Sequence, residues 1–572
     1  MTLFTVSKYQ YIFNNIQKKN LLFFFSLIII AMLLEVFSIG LIVPVMMSIL
    51  NQDITSIFPF LEPLVNYLGK YSSQDLIIFS SLVLISSYFL KNAYLLFFLN
   101  VEGDFLAKIE KNLKSKLFKK YISHHYYNHF ISHSSKLMSN ITIDVSIVVT
   151  ALKSSLLLLA ELAVALGIFV LLFYVEPITM LFNFIVIILG LFFFHVYSKK
   201  KIQNMSLSRK KNTDDLFLTL NNSFDSVKEI NVFNKNLFFE NIFNKSNHEI
   251  YKVNKKFHVI QGLPKIFYEF VGVLLLMMLI IFMTVSFKDQ NIMITFLALA
   301  GASAFRLIPS ANRILGCYQY LGFAEKSLSV INNELKESGS ENTEKNQLIS
   351  FKEEVVFNNV SFQYEARNNY IFRNINLKIK KNDKLLLYGE TGSGKSTFVE
   401  LFLGLLKPTE GSVKVDNKDV NFNFKEWSKY IGYIPQKVTL IDGSILSNIA
   451  FGLEERDIDS NLLKEATKLA EIDSFLDKLP LGLNTSVGEL GSKLSGGQIQ
   501  RIGIARAIYR NPEVLILDEA TNALDEATEQ KIILNVLKKF KDKALIFITH
   551  NKSLLGEIKN KFKIENSKLI SI

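Results

Sequence analysis

Six apolar stretches, roughly 21–49, 76–98, 146–174, 178–197, 260–284 and 291–320, dominate the first 330 residues of this 572-residue chain. Each is long enough to cross a hydrocarbon core, which takes about 20 helical residues. Backbone in lipid has to satisfy its own hydrogen bonds, so the spans are expected to be helices. The run from Leu21 to Leu50 is too long for a cleaved signal, and no small-residue cleavage site ends it.

Charge gives these spans a direction. Residues 1–330 hold 30 Lys and Arg against 19 Asp and Glu, whereas 331–572 are nearly balanced, at 34 against 33. The basic surplus therefore belongs to the apolar half, where it serves orientation rather than nucleic-acid binding. The 101–142 connection carries seven lysines and 198–257 carries twelve Lys and Arg, against only Lys70 and Lys288 on the other side. Both long connections are expected to be cytoplasmic. Their apolar spacing, as in Phe105, Ile109, Leu113 and Leu117, predicts helices that continue the spans into the cytoplasm. The stretch Ile57 to Leu68 is expected as a helix on the outer membrane face. A single cysteine, Cys317, excludes a disulfide framework and a cysteine-based zinc site.

The polar stretch within 331–350 reads as a linker, and 351–572 as a soluble α/β domain in which apolar strands alternate with helical patterns. The sequence Gly389-Glu390-Thr391-Gly392-Ser393-Gly394-Lys395-Ser396-Thr397 follows the strand Leu385–Tyr388 and precedes a helical run from Phe398 to Leu406. This is the phosphate-loop pattern in its required context. Glycines let backbone N–H groups close on phosphate oxygens, and the helix N-terminus adds positive potential. Lys395 would neutralise the β and γ phosphates of ATP, and Ser396 would hold Mg²⁺. The strand Val514–Leu517 ends in Asp518-Glu519, which places one carboxylate for the metal and the next to polarise an attacking water. An acidic pair alone is an ordinary strand cap; downstream of a phosphate loop it reads as catalytic.

Leu494-Ser495-Gly496-Gly497-Gln498, ahead of a helix containing Arg501, resembles the signature of ABC ATPases. That resemblance covers 351–572 and implies further roles. Tyr364 would stack on adenine, Gln436 would be the Q-loop residue near the metal, Asp525 the D-loop aspartate and His550 the switch histidine. It also implies that the signature of one subunit faces the phosphate loop of another, hence a homodimer of half-transporters. Asn522 stands where serine is common, and Ile499 replaces a basic or polar residue; neither removes a catalytic group. The fold class expected is a six-span α-helical transmembrane domain over 1–330, then a RecA-like α/β P-loop ABC domain over 351–572.

Charges inside lipid are costly and mark cavities or partners. Glu35, Glu161 and Glu269 fit a role as counter-ions as well as any substrate role, and Lys153 can snorkel. Arg306 and Arg313 are two turns apart on nearly one helix face, with Pro309 between, and suit an anion because guanidinium offers paired donors. Salt bridges to Glu35 or Glu269 are the competing reading. The stretch 305–314 and Glu35 with 39–44 resemble Pgl-type lipid-linked oligosaccharide flippases, in which cavity arginines attract the substrate's pyrophosphate. Lys91 and Lys265 stand where that family has arginines. The resemblance implies transport of a polyprenyl-pyrophosphate glycan or another amphipathic, membrane-borne substrate. A multidrug, lipid or peptide exporter is the alternative, and an ATP-gated channel or regulatory subunit a more distant one.

Overall fold

The computed structural model describes residues 10–13, 18–42, 45, 49, 73–123, 133–175, 177–286, 290–338, 349–364, 369–390, 392–421, 423–549 and 558–572. The Ile57 to Leu68 stretch, Thr391 and His550 lie outside these residues, as does the side chain of Arg306. The chain divides into a helical unit and an α/β unit.

Six long helices build the first unit: α1 (Lys18–Gly40), α2 (Ser73–Ser123), α3 (Val145–Val175), α4 (Pro177–Asp225), α5 (Asn236–Ser286) and α6 (Gln290–Ser338). Helices α2 to α6 each contain one of the apolar stretches, and α1 holds 21–40 of the first. A helix of 51 residues, such as α2 or α5, is about 75 Å long, more than twice the bilayer's hydrocarbon thickness. The polar connections therefore do continue the spans as helix. Outward apolar side chains mark the lipid-facing surface: Phe89 is 73% and Phe270 68% exposed, which is stable only in hydrocarbon.

Beyond the apolar ends of α3, α4 and α6 lies a buried charged cluster. A π-helical turn, Asn140–Asp144, leads into α3. From α4, the Lys210 ammonium donates to Asp144 Oδ2 at 2.5 Å, Asp214 Oδ1 at 2.7 Å and Asn140 Oδ1 at 2.9 Å. Ser327 of α6 donates to Asp144 Oδ1 at 2.5 Å and accepts from Arg209 Nη2 at 2.7 Å. Two cations thus balance two carboxylates with little water. Such a set adds little over a well-packed apolar core, but losing one member costs about 3–5 kcal/mol because its partner is left bare.

The second unit has two sheets. An antiparallel one runs in the order β2-β1-β4-β5, from β1 (Glu354–Phe362), β2 (Phe372–Lys380), β4 (Glu410–Val415) and β5 (Lys418–Asp419). The other, ordered β10-β9-β3-β8-β7-β6, comprises β3 (Lys384–Tyr388), β6 (Ile431–Ile434), β7 (Val514–Asp518), β8 (Ala544–Ile548), β9 (Asn560–Glu565) and β10 (Lys568–Ser571). Strands β9, β3, β8, β7 and β6 pair in parallel. Both faces of this sheet are covered, which explains the unbroken apolar strands. Leu386, Leu515, Leu517, Leu545 and Phe547 face one core with helices α8 (Ser460–Leu469), α9 (Gly496–Tyr509) and α10 (Glu526–Lys539). Their neighbours Leu385, Leu387, Ile516 and Ile546 face the other, with helix α7 (Lys395–Leu403).

Lys384, at the start of β3, donates to the carbonyls of Phe540 at 2.7 Å and Lys541 at 3.0 Å, beyond the end of α10. These are acceptors a helix C-terminus leaves open. Lys384→Met is expected to lower the unfolding free energy of the α/β unit by about 2 kcal/mol, since charged hydrogen bonds are stronger than neutral ones. Urea melts of the full chain check this; an unchanged midpoint would refute it.

Candidate functional site

Parallel pairing brings the chemistry together. Leu387 and Asp518 both register with Ile548 of the strand between them, and Ile434 with Leu517. The loops after β3, β7 and β6 therefore leave one edge of the sheet, the carboxyl edge where open α/β sheets bind ligands. They carry the phosphate loop, Glu519 and Gln436 respectively.

The phosphate loop is shaped as a cradle. Gly394 has φ 108° and caps α7; a Cβ there would meet Ile371 at 2.8 Å. A Cβ on Gly389 would lie 2.6 Å from Ser393 Oγ, a buried hydroxyl with no partner of its own. An orphaned donor in a turn with this backbone fits an oxyanion. Lys395 folds back over the loop and donates to the carbonyls of Gly389 at 2.8 Å and Glu390 at 3.1 Å. Burial lowers its pKa, while Glu519 and Asp518 oppose the shift. Ser396 is exposed in the first turn of α7, and Gly392 in the loop. These residues fit a nucleoside triphosphate.

Glu519 is the hub of the site. Its backbone sits in the left-handed region at φ 48°, a conformation that costs a non-glycine residue about 1 kcal/mol or more. The strain is held by its N–H, which donates to Ile548 O at 2.8 Å. The side chain is 9% exposed. Its Oε2 accepts from Gln436 Nε2 at 2.6 Å and Asn522 Nδ2 at 3.1 Å, and its Oε1 is 3.9 Å from the Lys395 ammonium. Burial raises the pKa of Asp518; a 3.3 Å hydrogen bond from Tyr433 pulls it back, Glu519 raises it and Lys395 lowers it. A cation beside Asp518 would reverse the balance.

Tyr364 is half-buried, with its hydroxyl 3.1 Å from Thr397 Oγ1 and donating to Glu400 at 3.4 Å. It thus flanks the phosphate-loop helix, where a nucleotide base can reach its ring. In the signature, Ser495 caps α9: its Oγ accepts from Gln498 N, and Gln498 Oε1 accepts from Ser495 N at 2.8 Å. This capping box leaves Ser495 and Gly496 exposed, with Leu494 packed on the core. A Cβ on Gly497 would meet Ala523 O at 3.2 Å, so the signature and the 522–525 loop share one surface. Asp525 caps α10 through Thr528 N, which lowers its pKa.

The sequence does not expose the roles of Tyr433 and Asn522. Tyr433 lies one strand away from Asp518, and only the β6–β7 register joins them. Asn522, a departure from the serine common in the D-loop, is a second amide donor to the Glu519 carboxylate.

In the helical unit, Lys91 lies 3.7 Å from Glu35, with its ammonium 4.3 Å from the Tyr88 ring centroid. Arg313 Nε is 3.0 Å from Glu161 Oε1, while Ser310 donates to Glu161 Oε2 at 2.6 Å. The partner of Arg313 is thus Glu161, not Glu35 or Glu269. The Arg313 side chain is still 45% exposed. Lys265 is exposed, at 67%, and 3.9 Å from Glu269. The structure does not gather Lys91, Lys265 and Arg313 around one described cavity.

Comparison with known proteins gives both units a context. Residues 27–301 match the family model of the ABC transporter transmembrane region, and 372–522 that of ABC transporter. A putative export ATP-binding/permease protein of Rickettsia bellii is 41% identical over 206 residues, 36% of this chain and 35% of that protein. ABC transporter B family member 13 of Arabidopsis thaliana is 37% identical over 276 residues, 45% of this chain and 22% of that protein. The matched regions thus span about a third or less of these relatives' own lengths. A solved bacterial Atm1-family ABC exporter with ATP bound superposes with a TM-score of 0.77 over 93% of each chain at 20% identity, a likeness of fold. The two family models together cover most of the chain, membrane region first and ATP-binding domain second, and the chain belongs to the ABC transporters.

Proposed function

We propose that two copies of this chain form an ATP-driven exporter in a bacterial inner membrane, with the α/β units in the cytoplasm. One observation carries this reading: Lys395, Gln436 and Asn522 converge on a buried Glu519 beside the phosphate cradle. That is the arrangement needed to hold a γ-phosphate and orient a water. When bound, Mg²⁺ would neutralise the phosphates, with Ser396, Gln436 and Asp518 as its protein-side neighbours. Glu519 then accepts the proton of the attacking water, and Gln436 fixes that carboxylate's direction. His550 is assigned the γ-phosphate contact by its sequence match. Ser495 and the exposed signature glycine supply donors to the nucleotide on the other copy. Domain limits of 1–330 and 351–572 with a linker between complete the assignment.

The substrate we propose is amphipathic, with an anionic head: a polyprenyl-pyrophosphate-linked oligosaccharide moved to the outer leaflet. Supporting it is Arg313, whose Nε is held by Glu161 while the side chain remains partly exposed. A guanidinium oriented in this way is poised for a phosphate. Arg306→Ala and Arg313→Ala are each expected to reduce flipping of a labelled lipid-linked oligosaccharide in proteoliposomes about tenfold, with basal ATPase within about twofold; losing one charged hydrogen bond has that size. Equal loss of both activities would remove the substrate role. Transport of a neutral amphipath, unaffected by these changes, would favour a general exporter.

A further inference from the structure

Two ring and side-chain contacts fix how α4 and α5 lie together. Phe194 meets Phe267 with ring centroids 5.3 Å apart, while Ile202 packs with Phe257 and Ile260. Rising numbers on α4 meet falling numbers on α5, so the helices are antiparallel. Their exposed surfaces change character at nearly the same level. On α4, exposed Phe192, Phe193, Val196 and Tyr197 give way to exposed Lys199, Lys200 and Lys201. On α5, exposed Phe270, Ile266 and Val259 give way to exposed Lys256 and Lys255. The two lysine groups are offset by about five residues, or about 8 Å of helix. That is close to the thickness of one headgroup layer, half the difference between the whole bilayer and its hydrocarbon core.

Some other lysines of the unit are ion-paired. Lys114, Lys120, Lys210 and Lys252 have carboxylate partners. Among the described residues, none of Lys199, Lys200, Lys201, Lys255 and Lys256 lies within ion-pair distance of a carboxylate. The Lys201 ammonium sits 3.8 Å from the Tyr197 ring centroid, an aromatic anchor of the kind found at membrane interfaces. Where α2 leaves its span, by contrast, it carries Glu102 and exposed Asp104. Just past its span α2 thus presents carboxylates where α4 and α5 present a band of lysines.

We propose that this band is a binding surface for anionic phospholipid headgroups of the cytoplasmic leaflet. Five clustered ammonium groups, none within ion-pair distance of a described carboxylate and only Lys256 near one, Glu249, favour an anion. The band is bordered by lipid-facing side chains, so a headgroup phosphate is the anion present at that depth. An acidic protein partner would instead have to displace lipid from Phe192, Phe193 and Ile266.

The test uses the full chain in nanodiscs of equal phosphatidylglycerol and phosphatidylcholine, with lipids retained after mild detergent measured by mass spectrometry. Wild type is expected to enrich phosphatidylglycerol. K199Q/K200Q/K201Q and K255Q/K256Q should each lose at least about fivefold of that enrichment, one lysine alone being worth that factor at an anionic surface. The charge-preserving K199R/K200R/K201R should retain it, as should K228Q/K235Q/K245Q, which removes the same number of charges elsewhere. Equal loss in both glutamine triples, or loss in neither, would overturn the proposal. A variant-free arm labels wild type with photoactivatable phosphatidylglycerol: adducts should map to 192–204 and 252–263, and adducts confined elsewhere would overturn it as well.

Discussion

Glu519→Gln is expected to lower steady-state ATP turnover by about 10²–10⁴-fold, the range for removing a positioned general base, while ATP binding stays intact or tightens. The replacement amide has the shape of the carboxylate, and its oxygen can still accept from Gln436 and Asn522. Packing and the strained backbone at 519 are therefore kept. What disappears is the proton acceptor and a negative charge 3.9 Å from Lys395. Losing that charge leaves the ammonium freer for phosphate, which sets the sign for affinity. Nucleotide-binding titration and phosphate release on the same preparation separate the two effects. Turnover within a few-fold of wild type would show that another group takes the proton.

The second large effect tests whether each site is shared between copies. Lys395→Ala strips the cradle of its charge, and Ser495→Arg fills the exposed signature with bulk; each homodimer should lose about 10²-fold or more in turnover. Dimers assembled from one chain of each kind should recover part of the activity. In them, the intact phosphate loop of one copy faces the intact signature of the other. Joining both changes in one chain and pairing it with wild type should give no such site. If each chain used its own signature, the pattern would reverse: the joined pair would be active and the separate pair dead. Differently tagged subunits, purified through both tags, provide the measurement.

Most of the nucleotide site was legible in the sequence because its chemistry depends on local spacing. The phosphate loop places Gly389, Gly394 and Lys395 by backbone geometry alone, and an apolar strand ending in Asp518-Glu519 could only be a buried strand of a covered parallel sheet. The six spans were equally legible, since lipid leaves helices as the choice. What could not be read were contacts between distant segments. Nothing local in the sequence links Tyr433 to Asp518. Arg313 had several carboxylates to choose from, and only the packing of α6 on α3 selects Glu161. The cluster around Lys210 shows both cases. Asp214 is one helical turn away and visible; Asp144 and Ser327 are 66 and 183 residues from their partners.

That cluster also governs how movement can pass through the cytoplasmic extensions. Sliding α4 past α3 or α6 by one turn would carry Lys210 and Arg209 away and leave the buried Asp144 carboxylate without its cation, while the Lys210–Asp214 pair would travel with α4. The three extensions are thereby riveted, and a push at their far ends must travel as the swing of a single lever rather than the slip of separate rods.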